Sequence, residues 1–153
     1  MDKNSLFLEN KEKLGNRAVD GLLYGLVGGI AMLISLLSFA LLSGEVPGVL
    51  FERFSAGGLT TPLQGVLSHL AVSAIYGVLF GSLIWPILRR FSSASWMGWL
   101  GGLGYAMVLL LLAQTAILPG VNSPLAQLPF WEWALGHAIY GVVLGGLFTK
   151  KGF

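Results

Sequence analysis

Four stretches of this 153-residue chain contain no Asp, Glu, Lys or Arg: 21–44, 54–88, 91–131 and 133–149. Each can hold a helix of roughly 17 to 25 residues, the length needed to cross a hydrocarbon core. In lipid every backbone polar group must be paired within the protein, so uncharged runs of this length are expected as helices. Only 10% of the residues are charged, against about 25% in an ordinary soluble domain, and 55% are hydrophobic. The expected fold is all-α and polytopic, with transmembrane helices at about 18–42, 65–88, 96–118 and 131–149. Residues 1–16 form a polar N-terminal tail, and residues 17–153 form a single four-helix domain.

The basic residues mark the ends of these helices. Lys3, Lys11, Lys13 and Arg17 precede the first, Arg89 and Arg90 follow the second, and Lys150 and Lys151 follow the fourth. Arg53 alone lies on the opposite side, so the positive-inside rule predicts an N-in, C-in topology. The net charge of +2 is spread over helix ends and forms no basic face, which argues against a nucleic-acid partner. With no cysteine, disulfides and thiolate chemistry are excluded. The first apolar run is longer than a signal-peptide core and reads as an uncleaved signal anchor. The leader's Leu6, Phe7, Leu8 and Leu14 either lay a helix on the membrane surface or belong to a frayed tail.

One segment occurs twice. Ser73-Ala-Ile-Tyr-Gly-Val-Leu-Phe-Gly-Ser-Leu83 returns as His137-Ala-Ile-Tyr-Gly-Val-Val-Leu-Gly-Gly-Leu147, with seven of eleven positions identical. Since the second and fourth helices run in the same direction, the expected architecture is two parallel-repeated helical hairpins about an axis along the membrane normal. Gly29-Ile-Ala-Met32 and Gly104-Tyr-Ala-Met107 extend the likeness weakly to the first and third helices. The 43–64 connection holds an amphipathic island at 49–54, expected at the outer interface. Trp96 and Trp99, and then Phe130, Trp131 and Trp133, are expected as aromatic belts.

Small residues recur at the four-residue spacing that lets helix backbones approach in lipid. The rows are Gly21, Gly25 and Gly29; Gly65, His69, Ser73, Gly77 and Gly81; and His137, Gly141 and Gly145. Their expected role is helix packing. Both histidines lie on these rows, and an ionisable side chain inside a membrane is a functional candidate by default. Two readings stand. Each imidazole hydrogen-bonds across a helix interface, to Ser73, Gln114, Thr115 or a tyrosine; or His69 and His137 together ligate a tetrapyrrole, haem b or a chlorophyll-type pigment, with the glycines making room for the macrocycle. Tyr76 and Tyr140, equivalent in the repeat, either line a cavity or fill it. Asp20, three residues after Arg17, is expected as an anchor paired along the helix surface.

The chain has no H-E-x-x-H, G-x-S-x-G or Walker-type motif, and no cluster of three candidate metal ligands, so a metal site and a catalytic site are not expected. No carboxylate falls in the middle of a span, where ion-coupled transport would place one. The runs Phe54-Ser-Ala-Gly-Gly, Gly65-Val-Leu-Ser-His69 and Gly136-His-Ala-Ile-Tyr-Gly-Val-Val-Leu-Gly145 resemble the small four-helix bacterial membrane proteins of the YagU-like type. The resemblance covers the second and fourth helices and implies a bacterial cytoplasmic-membrane location and a histidine-bearing bundle, with no settled activity. The expected function is a non-enzymatic packing or accessory subunit, or a small homo-oligomer, in the lipid bilayer. The alternatives are a tetrapyrrole-binding membrane subunit and an oligomeric small-solute transporter or channel.

Overall fold

The computed structural model describes residues 3–54, 61–91, 94–121 and 124–151, with side chains from residue 13 onward. Among the described residues the fold is five helices and no strand. Helix α1 spans Lys3–Leu42, α2 spans Pro47–Arg53 and α3 spans Pro62–Phe91. Helix α4 spans Trp96–Gly120, a 3₁₀ turn follows at Pro124–Gln127, and α5 spans Phe130–Lys151.

Three of these helices are long and apolar enough to cross a membrane: Lys13–Leu42 within α1, Pro62–Phe91 and Trp96–Gly120. This corrects the expectation of four transmembrane helices. At 22 residues α5 has the length. It falls short in apolarity, because Glu132, His137, Thr149, Lys150, Lys151 and four glycines dilute its aliphatic positions. The packing gives the reason. Buried on α5 are Glu132, Trp133, Gly136, His137, Tyr140, Gly141, Leu144, Gly145, Gly146 and Phe148, whereas only 17% of the α4 window is buried. A helix wrapped by protein is selected for fit, and one facing the surroundings for apolarity. The N-in, C-in topology expected from the positive-inside rule requires an even number of spans, and three candidate spans do not supply it.

Local signals set the helix ends. Gly44, at φ 76°, ends α1 in the left-handed conformation, with Glu45 N–H donating to Ala40 O at 2.8 Å, as in a Schellman cap. Thr61 caps α3, its Oγ1 accepting from Gln64 N–H at 3.2 Å ahead of Pro62 at the first helical position.

The long helices are arranged in the order α3, α1, α5, α4 around the bundle. Glycines seal the α1–α3 seam: a Cβ on Gly21 or Gly25 would meet the backbone of Gly77 or Ser73. They also seal the α4–α5 seam, where a Cβ on Gly98 or Gly102 would meet the backbone of Gly145 or Gly141. The α1–α5 seam joins the two pairs through Tyr140 over Gly28, Met32 and Leu36 against Gly136, and the Tyr24 and Phe148 rings at 5.0 Å. Helix α2 covers one end of the bundle with Leu50 fully buried, and the Phe51 carbonyl sits where a side chain at Gly65 would be.

Candidate functional site

The end of the bundle under α2 brings both histidines into one aromatic cluster. Phe54, just past α2, meets the His69 ring edge-on at 4.8 Å and lies 6.4 Å from the Trp133 ring. Trp133 is 5.3 Å from the His137 ring and donates from Nε1 to Leu125 O at 3.0 Å, fixing the 3₁₀ turn against α5. Trp133, expected at the membrane interface, is therefore part of the core at 4% exposure, while Trp131 is exposed and meets Phe39 at 5.1 Å.

Each imidazole has one nitrogen engaged by a backbone carbonyl. His69 Nε2 lies 3.1 Å from Gly29 O, and His137 Nδ1 lies 3.0 Å from Trp133 O. A carbonyl only accepts, so these two nitrogens carry the protons and the tautomers are fixed. Ser73 Oγ sits 3.4 Å from His69 Nε2. The His69 bond crosses from α3 to α1 and the His137 bond stays within α5.

The glycines beside the histidines are filled by neighbouring helices. A Cβ at Gly29 would lie 2.6 Å from Ser73 Cβ, one at Gly141 would lie 2.7 Å from Ala106 Cβ, and one at Gly77 would meet Gly21 and Gly25. Gly81 faces Arg17 O and Phe148, and Gly145 faces Gly98 and Gly102. The space beside these glycines is filled by backbone and side chains of the neighbouring helices.

The tyrosines fill positions between helices. Tyr140 is buried, with its ring on Gly28 and its hydroxyl donating to Ser73 O at 2.9 Å. Tyr76 is half-buried, and its carbonyl accepts from Tyr105 Oη at 2.9 Å, a bond from α4 to α3.

Two carboxylates escaped the sequence reading. Asp20, expected on the surface beside Arg17, is 7% exposed and pairs with Lys151 at the end of α5; its second oxygen, Oδ2, is buried without a hydrogen-bond partner. Glu132 is 6% exposed in the first turn of α5. Burial pushes its carboxyl above the ordinary range, nearby Glu45 adds to that shift, and Arg53 opposes it. Arg53 is itself ion-paired with Glu45. Nothing in the local sequence distinguishes these acids, because their neighbours are distant in the chain: Lys151 beside Asp20, and Glu45 and Arg53 near Glu132. Among the described residues no group of three His, Asp or Glu side chains is placed to hold a metal.

Compared with protein-family models, with curated proteins and with solved structures, the chain matches none.

Proposed function

We propose that this chain is a non-enzymatic integral membrane protein that serves as a packing or accessory subunit and acts through its lateral apolar surface. One observation carries the reading. The deep polar groups, His69, His137, Tyr105 and Tyr140, all end on backbone carbonyls within the bundle, at Gly29, Trp133, Tyr76 and Ser73. Three of these bonds, from His69, Tyr105 and Tyr140, cross between helices and hold them together, and the fourth, from His137, fixes its ring within α5, which supports a packing role for these groups. Small-solute transport is less well supported because no carboxylate falls in the middle of a long apolar helix, and tetrapyrrole binding because the glycines near the histidines are packed against backbone or side chains of neighbouring helices.

The basic end supports an orientation. The Asp20–Lys151 pair and the packing of Gly81 on Arg17 put Arg17, Lys150, Lys151, Arg89 and Arg90 at the same end of the bundle. We place that end in the cytoplasm, and the protein in a bacterial cytoplasmic membrane. A duplicated hairpin is supported by matching contacts as well as by the repeated segment. Gly77 packs between Gly21 and Gly25 as Gly141 packs between Gly102 and Ala106, and Gly81 meets Arg17 and Gly21 as Gly145 meets Gly98 and Gly102. This register pairs Tyr24 with Tyr105 and replaces the alignment of Gly29–Met32 with Gly104–Met107 expected from the sequence.

Gly28 packs on Tyr140 of the same chain, so that face of α1 is already covered. The assembly test therefore uses the exposed face of α1. A photo-crosslinking residue at Ile30 or Ile34, 47% and 60% exposed, is irradiated in native membranes. A discrete protein adduct is expected, its mass separating a heteromeric complex from a homo-oligomer; adducts to lipid alone at both positions would overturn the accessory reading. An absorption spectrum of the purified protein tests the tetrapyrrole alternative: a Soret or far-red band lost in both His69→Ala and His137→Ala would replace the accessory reading.

A further inference from the structure

The seam between α3 and α4, like that between α1 and α5, has no glycine-to-glycine contact. It opens instead as a groove lined by Leu79, Leu83 and Ile84 on α3 and by Gly101, Tyr105, Val108, Leu109 and Leu112 on α4. Its floor is firm. Tyr105 is held by its bond to Tyr76 O and packs on Phe80 at 5.2 Å, and Leu88 packs on Gly101 at the basic end.

We propose that this groove holds one acyl chain of an anionic phospholipid, with the headgroup phosphate at Arg90. Length supports the occupant. From Gly101 to Leu112 the helix rises about 17 Å, close to half of a hydrocarbon core about 30 Å thick, which is the depth of one leaflet. Charge selects the lipid. Arg90 follows Ile84 by six residues, about 9 Å of helix rise, which sets it where the headgroup of a chain in the groove emerges. Arg90 is exposed, while the neighbouring Arg89 guanidinium sits 5.7 Å over the Trp85 ring. A guanidinium suits phosphate because its planar donors match the phosphate oxygens in pairs.

The proposal rests on membrane embedding, which the same preparation checks separately: recovery of folded protein from the aqueous fraction without detergent would end that reading, whatever the lipid result. The experiment is native mass spectrometry of the detergent-purified full chain with phosphatidylglycerol or phosphatidylcholine of identical acyl chains. One tightly retained phosphatidylglycerol is expected, at least about tenfold preferred over phosphatidylcholine, while inorganic phosphate alone does not bind. Val108→Trp, at a position 54% exposed on the groove wall, should lose the bound lipid while keeping the helical circular dichroism of the parent; Leu79→Trp, 41% exposed, repeats the test from α3. Arg90→Gln should keep a chain but lose the headgroup preference. Retention of phosphatidylglycerol by both tryptophan variants overturns the proposal, as does equal retention of the two lipids by the parent. A dimer that dissociates in Val108→Trp, with no lipid released, would make a second copy the occupant and overturn it as well.

Discussion

Gly25 and Gly104 lie in apolar helices, yet a methyl group added to each has opposite consequences. A Cβ at Gly25 would meet the Ser73 carbonyl and lie 2.9 Å from Gly77 Cα, backbone that moves only if α1 and α3 separate. Nothing lies within 4 Å of a Cβ at Gly104. Gly25→Ala should therefore destabilise the bundle by about 2 kcal/mol or more, as overpacking against an unyielding wall does. Gly104→Ala should be neutral or gain up to about 1 kcal/mol from helix propensity. Unfolding in graded detergent mixtures measures both, and equal effects would refute this account of the seams. The four-residue glycine spacing was legible in the sequence, but the partner of each row was not, because Gly28 reads as surplus until Tyr140 is placed on it. Glu132 makes the same point with charge. Its raised pKa means that the folded state takes up a proton before the unfolded chain does, so stability is greatest below the unfolded value and falls as pH rises through the folded one. Glu132→Gln should flatten that part of the pH–stability curve and raise stability at neutral pH; an unchanged slope would show that another group carries it.

At the scale of elements, two prolines explain what the helix pattern alone does not. Helix α3 contains a π-helical turn at Phe80–Ile84, closed by Trp85 N–H donating to Phe80 O, and α4 contains one at Ala113–Ile117, closed by Leu118 N–H donating to Ala113 O. In each case the residue that closes the turn, Trp85 or Leu118, immediately precedes a proline, Pro86 or Pro119. Proline brings no N–H and its ring clashes with the carbonyl four residues earlier; one wider turn moves that carbonyl aside and lets the helix continue. Pro86→Ala removes the cause, so the Phe80–Ile84 segment should return to α-helical hydrogen bonding, read from backbone carbon chemical shifts in isotopically labelled protein. A π turn that persists in the variant would assign it to the packing of Phe80 against Tyr105 and Phe148. The positions of the long helices were legible because charge is absent over their whole lengths. The bulges were not, since hydropathy is indifferent to one extra residue in a turn. The status of α5 was misread because a helix sheltered by protein and one bathed in lipid differ only modestly in composition, and Tyr140, Gly141 and Gly145 serve the first environment.

For the molecule as a whole, the seams rank the joints. Helices α1 with α3 and α4 with α5 form two glycine-sealed pairs, and the α1–α5 seam bonds pair to pair through Gly28, Tyr140, Met32, Gly136, Tyr24 and Phe148. The Lys151–Asp20 ion pair crosses the same seam at the basic end. The chain connection between the pairs lies elsewhere, between α3 and α4, whose seam opens into the groove. If the α1–α5 seam holds the halves together, the covalent link between residues 91 and 94 is dispensable. A chain ending at Phe91 and a second starting at Ala94, expressed together with a tag on one, should copurify from membranes with the helical content of the intact protein. Gly28→Leu in the first fragment sets a branched side chain against the Tyr140 ring, where a Cβ alone would already lie 2.9 Å from Cδ2. It should break the association while leaving the α1–α3 pair intact, because Gly21 and Gly25, not Gly28, make that contact. Halves that fail to associate, or that associate equally well with Gly28→Leu, would move the main joint of the molecule to the α3–α4 side and leave the groove as a secondary gap in a differently held bundle.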